Sequence, residues 1–341
     1  MAALRPFDRP FPEFGYSESR WTAFQRCPRA YFLRVYQAWQ GWAAPAGTAS
    51  ALAYRLKRTT TMPALLGTVL HDAATTAVDA VLREGRPPAL DVMMTTARDS
   101  LNAVWQAARG AHTSYLVNAR CPRGTMLEEF LYGDEPTGPS LARYRDRLAF
   151  LMDTLWRCDA LWEEVRSAGS AHVFVPPPFG AITWRDPRLT VGSVTLFAAP
   201  DLVTRNPSHI VITDLKTGRG DGVVDQLLTY ATALADGLLP NVTATMPMSG
   251  QVVALGDGAD SVTRCGFDAD DLAAARTRLV ENINVLSARQ LDPDANVPQP
   301  MVTFRMRTDV RDCARCAFRG LCHPQLYPLA VRQTPSGGKA A

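Results

Sequence analysis

Residues 194–230, VTLFAAPDLVTRNPSHIVITDLKTGRGDGVVDQLLTY, decide how this chain is read. Val194 to Thr204 is apolar and rich in β-branched residues. Asn206-Pro207-Ser208-His209 is turn chemistry, and Ile210 to Leu215 resumes as a second β-type run. Asp201 is thereby expected near the end of one strand, and Asp214 with Lys216 on its neighbour. Side chains alternate along a strand, so Asp214 and Lys216 share a face while Leu215 points into the core. A soluble core has no need of two carboxylates and an ammonium beside a hydrophobic sheet. A divalent cation explains them, since Mg²⁺ and Mn²⁺ prefer carboxylate and carbonyl oxygens and serve phosphate chemistry.

Just downstream, Val223 to Asp236 has helical spacing, with Val224, Leu227, Leu228 and Ala231 as the apolar stripe. Gln226 and Tyr230, four apart, lie on one helical face. The ordered set Pro200-Asp201, Asp214-Leu215-Lys216 and Gln226-x-x-x-Tyr230 resembles the PD-(D/E)XK nuclease superfamily, in its RecB-like branch with the trailing QxxxY motif. That resemblance implies an α/β, restriction-endonuclease-like core: a central mixed β-sheet flanked by helices. It also implies a Mg²⁺- or Mn²⁺-dependent deoxyribonuclease in which Asp201, Asp214, Lys216, Gln226 and Tyr230 are catalytic. Upstream, Leu65 opens a helix running to about Leu82, and His71 lies beside its apolar side. Gly67-x-x-x-His71 resembles the histidine motif of the same branch. The ligand set so implied is His71, Asp201, Asp214 and the backbone carbonyl of Leu215. The family often adds a glutamate on an early strand; the corresponding AHVFVPPPFGAITW here has none.

The two ends of the chain supply a second constellation. Cys313-x-x-Cys316 and Cys322 form C-x₂-C-x₅-C, and in a reducing compartment such spacing reads as metal ligation rather than disulfide pairing. Zinc and iron–sulfur clusters both accept four thiolates. Cys27, within Arg26-Cys27-Pro28-Arg29, is the natural fourth. One early cysteine answering three late ones resembles the [4Fe–4S] staple of AddB-type and CRISPR-adaptation nucleases, with zinc as the alternative. Residues 1–34 carry six arginines against three acids, and residues 302–334 six against two. The ends thus hold +3 and +4, which leaves the remainder of a +3 chain net acidic. Meeting in space, they make a basic patch suited to a phosphate backbone. Arg26, Arg29, Arg315 and Arg319 are its candidate DNA contacts.

The remainder reads as scaffold. Ser17 or Ser19 caps an early helix, and Pro28 interrupts it or begins another. Residues 86–170 are mostly helical, with runs at Val92–Ala108 and Leu141–Arg166 that pack Trp105, Trp156 and Trp162. Between them lies a loop-rich stretch in which Glu128 and Glu129 are ordinary solvated residues. His172–Trp184 and Leu189–Leu196 have strand composition, Gln251–Leu255 and Val262–Phe267 form a hairpin, and Asp268 caps a last helix to about Arg289. Pro293–Pro300 is a linker. The expected organisation is an N-terminal helical region (1–60), a nuclease core (61–85 and 171–290), a helical insertion (86–170), a cysteine region (291–330) and a tail (331–341).

At 341 residues with 47% apolar and 20% charged, the chain has ordinary globular chemistry. No run of 18 apolar residues occurs, so no membrane partner is expected, and the start lacks signal-peptide order, which places the protein in the cytoplasm. There is no Walker A loop, hence no motor, and no G-x-S-x-G. The expected function is a DNA exonuclease favouring single strands, in repair or antiviral defence, with a helicase or other repair or defence protein as its expected partner. The alternative is a catalytically degenerate DNA-binding or scaffold subunit on the same fold.

Overall fold

The computed structural model describes residues 9–120, 124–168, 173–174, 180–206, 209–218, 223–239, 241–243, 245–258 and 262–329. The chain begins with β1 (Gly15–Tyr16), α1 (Glu18–Arg26), α2 (Pro28–Phe32), α3 (Ala49–Lys57) and β2 (Thr59–Thr60). Ser17 Oγ accepts the Arg20 N–H to start α1, and Pro28 opens α2 in the first turn, where its missing N–H costs nothing. Next come α4 (Met62–Glu84) and α5 (Leu90–Tyr115), then β3 (Met126–Leu127), α6 (Glu128–Tyr132), α7 (Gly138–Trp156) and α8 (Asp159–Ala168). Helix α4 begins a turn before its apolar spacing predicts, because Thr61 Oγ1 accepts the Ala64 N–H. It ends at Gly85 in the left-handed region (φ 76°), which costs glycine little. By length and composition α4 could cross a membrane; its apolar side, from Leu65 to Val81, is packed in the core.

The predicted run Leu141–Arg166 is two helices. The indole N–H of buried Trp162 donates to the carbonyls of Leu155 and Trp156 at the break, meeting acceptors that the end of α7 leaves open. Trp156 itself, expected to pack, is 38% exposed. Three short or medium strands follow, β4 (Val173–Phe174), β5 (Ala181–Arg185) and β6 (Ser193–Phe197). Part of the expected strand His172–Trp184 lies outside the described residues.

The expected single run Val194–Thr204 is also divided. Strand β6 pairs with β1 and β5 in a three-stranded sheet, and a new strand, β7 (Leu202–Asn206), belongs to a different one. Pro200, which has no N–H for a ladder, sits in the break. β7 pairs antiparallel with β8 (His209–Lys216), with Leu202 opposite Thr213. From β8 the chain crosses through α9 (Val224–Ala233) to β9 (Met248–Ala254), parallel to β8 with Asp214 beside Val252. β10 (Val262–Phe267) closes the predicted hairpin, and the five-stranded sheet runs β10-β9-β8-β7-β4.

All six residues from Ile210 to Leu215 are buried, because helices cover both faces. One face carries Leu202, Leu215 and Val253 against α4, α5, α7 and α8. The other carries Val203, Ile212 and Val252 against α9 and α10 (Ala269–Ser287). The buried stripe of α9 is Leu227, Tyr230 and Ala231, with Val223 just before it; Val224, expected inside, is 49% exposed. Asp268 and Asp271 form a reciprocal capping box at the start of α10. The segment read as a linker holds a small hairpin, β11 (Gln290–Asp292) with β12 (Val297–Pro298), and α11 (Arg319–Cys322) follows. The expected tail lies outside the described residues.

Candidate active site

The site forms where α4, the start of β7, the end of β8 and the first turns of α9 meet. Asp201 immediately precedes β7. Its Oδ2 accepts the Leu215 N–H at 2.7 Å, fastening the start of one strand to the end of the other. Its Oδ1 lies 2.9 Å from His71 Nδ1 on α4. On β8, Asp214 and Lys216 share the face that looks toward α9, while Leu215 packs into the opposite core, as strand alternation requires.

Asp214 is 2% exposed, and its Oδ2 is 2.7 Å from Lys216 Nζ. That contact is ionic; its angle is not that of a directed hydrogen bond, so Oδ2 is otherwise unpartnered. Lys216 Nζ also donates to Gln226 Oε1 at 3.4 Å, and Gln226 Nε2 donates to the Tyr230 hydroxyl at 2.6 Å. A polar relay thus runs from Asp214 through Lys216 and Gln226 to Tyr230.

The electrostatics fit a site built for a cation. Burial raises the Asp214 carboxyl above the usual carboxylate range, with Lys216 opposing and Asp201 adding to the rise. The hydrogen bond to Asp201 raises His71 above its ordinary value, against the effect of burial. Tyr230 is pushed up to about 12 by burial, so it stays a neutral hydroxyl. Among the described residues no three His, Cys, Asp or Glu side chains converge as a ready coordination set. Instead, His71 with Asp201 and Lys216 with Asp214 are paired off. The donors nevertheless suit a hard divalent ion: two carboxylates and an imidazole, one carboxylate oxygen buried without a directed partner.

Glu164 of α8 reaches strands of this sheet, accepting from Thr204 Oγ1 at 2.7 Å and lying 3.5 Å from Arg264. Thr204 pairs with Val211, whose face is opposite that of Asp214. It therefore does not replace the absent strand glutamate.

The chain ends meet beside this site. Arg29 donates through Nε to the Phe304 carbonyl at 2.9 Å, and the Phe32 and Phe304 rings lie 4.9 Å apart. A cleft of about 1130 Å³ opens there, lined by residues of α1, of 311–318 and of the facing turns of α9 and α10. Cys27, Cys313, Cys316 and Gln226 are among them. Cys322 is pushed up to about 11, first by burial and then by the neighbouring Cys316 and Cys27. Burial, with charge repulsion from Cys27, likewise raises Cys313 and Cys316. The four thiols are neighbours, without the convergence of a finished metal site.

Two expectations here are overturned. Arg319 cannot face DNA: its side chain is 5% exposed, bonded to Glu128 Oε2 at 2.9 Å and stacked 3.4 Å from the Tyr132 ring centre. Glu128 and Glu129 are not solvated helix residues. Glu128 is buried in that ion pair, and Glu129 Oε1 accepts the Met62 N–H at 2.7 Å. Nothing in the local sequence signals this pairing across 191 positions.

This sheet, its flanking helices and the D…D-x-K…Q-x-x-x-Y arrangement are those of a nuclease fold. Residues 16–323 match the family model of the PD-(D/E)XK nuclease superfamily, and the chain belongs to that superfamily. No curated protein matches the chain.

Proposed function

We propose that the protein is a metal-dependent DNA nuclease that hydrolyses phosphodiester bonds, working from an end and on single strands in preference. The observation that carries this reading is the closeness of two pairs, His71 with Asp201 and Lys216 with Asp214, which the Asp201 bond to the Leu215 N–H ties together and which act on one another electrostatically. The end and strand preferences are carried over from the RecB-like resemblance, which also suggests work beside a helicase or defence complex in a reducing compartment.

Asp201 and Asp214, with His71 and the Leu215 carbonyl, would hold Mg²⁺ or Mn²⁺. When bound, the ion supplies Lewis-acid polarisation of the scissile phosphate and charge compensation at the leaving oxygen. Lys216 orients the attacking water and offsets charge that grows on the phosphate. Gln226 fixes the Lys216 ammonium, and the neutral Tyr230 hydroxyl fixes Gln226 in turn. Cys27, Cys313, Cys316 and Cys322 would hold a [4Fe–4S] cluster, or zinc in its place, as a staple between the chain ends.

The test is cleavage of end-labelled single- and double-stranded DNA in Mn²⁺, comparing wild type with Asp214→Ala. We expect stepwise shortening of the single strand by wild type and none by the variant; equal cleavage by both rejects the reading. A second reading, a DNA-binding subunit that does not cut, draws on the internally paired acids and the absent glutamate. Retained DNA binding with no Mn²⁺-dependent cleavage by wild type selects it.

A further inference from the structure

The cleft between the chain ends has an asymmetry of charge that neither the fold nor the thiols require. Four acids line it, and each is paired with an arginine of the protein, two of them sharing Arg278. Glu18 and Asp225 are paired with Arg278 at 3.3 Å, Asp312 with Arg307 at 2.9 Å, and Glu128 with Arg319. Three cations in the same walls, Arg26, Arg34 and Arg315, make no ion pair among the described residues. Arg26, on α1, and Arg315, beside Cys316, are exposed. Exposed guanidiniums without an ion-pair partner, collected in one groove, favour an external anion.

The form of the groove narrows the choice of anion. Gln226 lines it and bonds Lys216, so an occupant that reaches Gln226 stands next to the Lys216–Asp214 pair. Trp21, stacked on Phe24 at 6.0 Å, stands in the α1 wall and offers a flat surface to a base. The 1130 Å³ corresponds to a sphere roughly 13 Å across, hardly wider than the ~12 Å major groove of a duplex alone. A space of that size suits one strand better than a duplex.

We propose that this cleft is the path of a single polynucleotide strand, whose phosphates Arg26, Arg34 and Arg315 hold and whose end passes Gln226 to reach Lys216. The route rests on the nuclease reading of the site, and the experiment keeps the two apart by measuring binding without cleavage. Anisotropy of a fluorescein-labelled oligo(dT) strand is followed in EDTA as salt is raised. Wild type is compared with the triple variant Arg26→Ala/Arg34→Ala/Arg315→Ala and with a control, Arg98→Ala/Arg145→Ala, on exposed arginines outside the cleft. Each phosphate contact to a single strand contributes about 0.7 to the slope of log affinity against log salt, so the triple variant should lose about 2 from that slope. Its affinity should fall about tenfold or more at low salt while the control stays near wild type.

Because Arg34 lies within a packed helical turn, Arg315→Glu alone is read as well; this exposed site should weaken binding with an unchanged melting curve. An unchanged slope in the triple variant overturns the route, as does equal weakening in the control. So does a blunt duplex that binds as tightly as the strand and loses as much in the variant. A protein that binds through these arginines and never cleaves leaves the route standing and rejects the nuclease reading. One that cleaves while the arginine variants bind as wild type does the reverse.

Discussion

At the scale of single residues, the proton between His71 and Asp201 is the site's most informative group. Their hydrogen bond holds His71 protonated above its ordinary 6.5, and a metal must displace that proton. Mn²⁺ affinity should therefore rise with pH through and above that value, and His71→Ala should flatten the rise; isothermal titration at several pH values reads both. The Arg319–Glu128 pair makes an independent prediction. Removing one partner strands a buried charge, so Arg319→Ala should cost about 3–5 kcal/mol in urea unfolding. Arg315→Ala, on an exposed side chain, should stay within about 0.5 kcal/mol. Local spacing shows which of the acids shares a strand face with Lys216, so the pairing of Asp214 with Lys216 was legible in the sequence. Glu128 was not, since its partner is remote in the chain and a helix-start Glu-Glu looks the same whether solvated or buried.

Among the elements, β8 decides most. Its end is fixed by the Asp201 carboxylate on one side, and on the other Arg147 donates to the Thr217 carbonyl just past Lys216. Gly256 permits this close approach: a Cβ there would lie 2.7 Å from the Thr217 carbonyl oxygen, a backbone atom that cannot step aside. Gly256→Ala should cost about 1–3 kcal/mol and reduce cleavage more than DNA binding, as seen by denaturation and by paired binding and cleavage assays. The period-2 and period-3.6 patterns foretold β8, α9 and the β9–β10 hairpin, because each carries its signal within one short window. They failed at Ala198–Asp201 and at Arg157–Cys158. There composition stays continuous while the chain changes sheet or helix, and only the packing of Trp162 and the pairing of β6 reveal the break.

For the molecule as a whole, helices on both faces of one sheet position the site, and the early and late segments of the chain meet in a cleft that reaches Gln226. The cysteine spacing announced that the ends belong together, and Arg29, Phe32 and Phe304 now provide contacts for that closure. The cleft they form was not legible, since it depends on which arginines are already taken by acids from α6, α9 and residues 309–312. If the thiols hold a metal or cluster, Cys27→Ala and Cys316→Ala should each lose it and lower the melting temperature, with bound iron or zinc read by elemental analysis. The central claim is narrower: the acids of β7 and β8 exist to grip a cation. It is tested most directly by anomalous diffraction from crystals soaked in Mn²⁺. The account predicts a manganese peak touched by Asp201 and Asp214, with His71 at its edge; at saturating Mn²⁺, a pocket with no such peak, its pairs still closed on themselves, would contradict it.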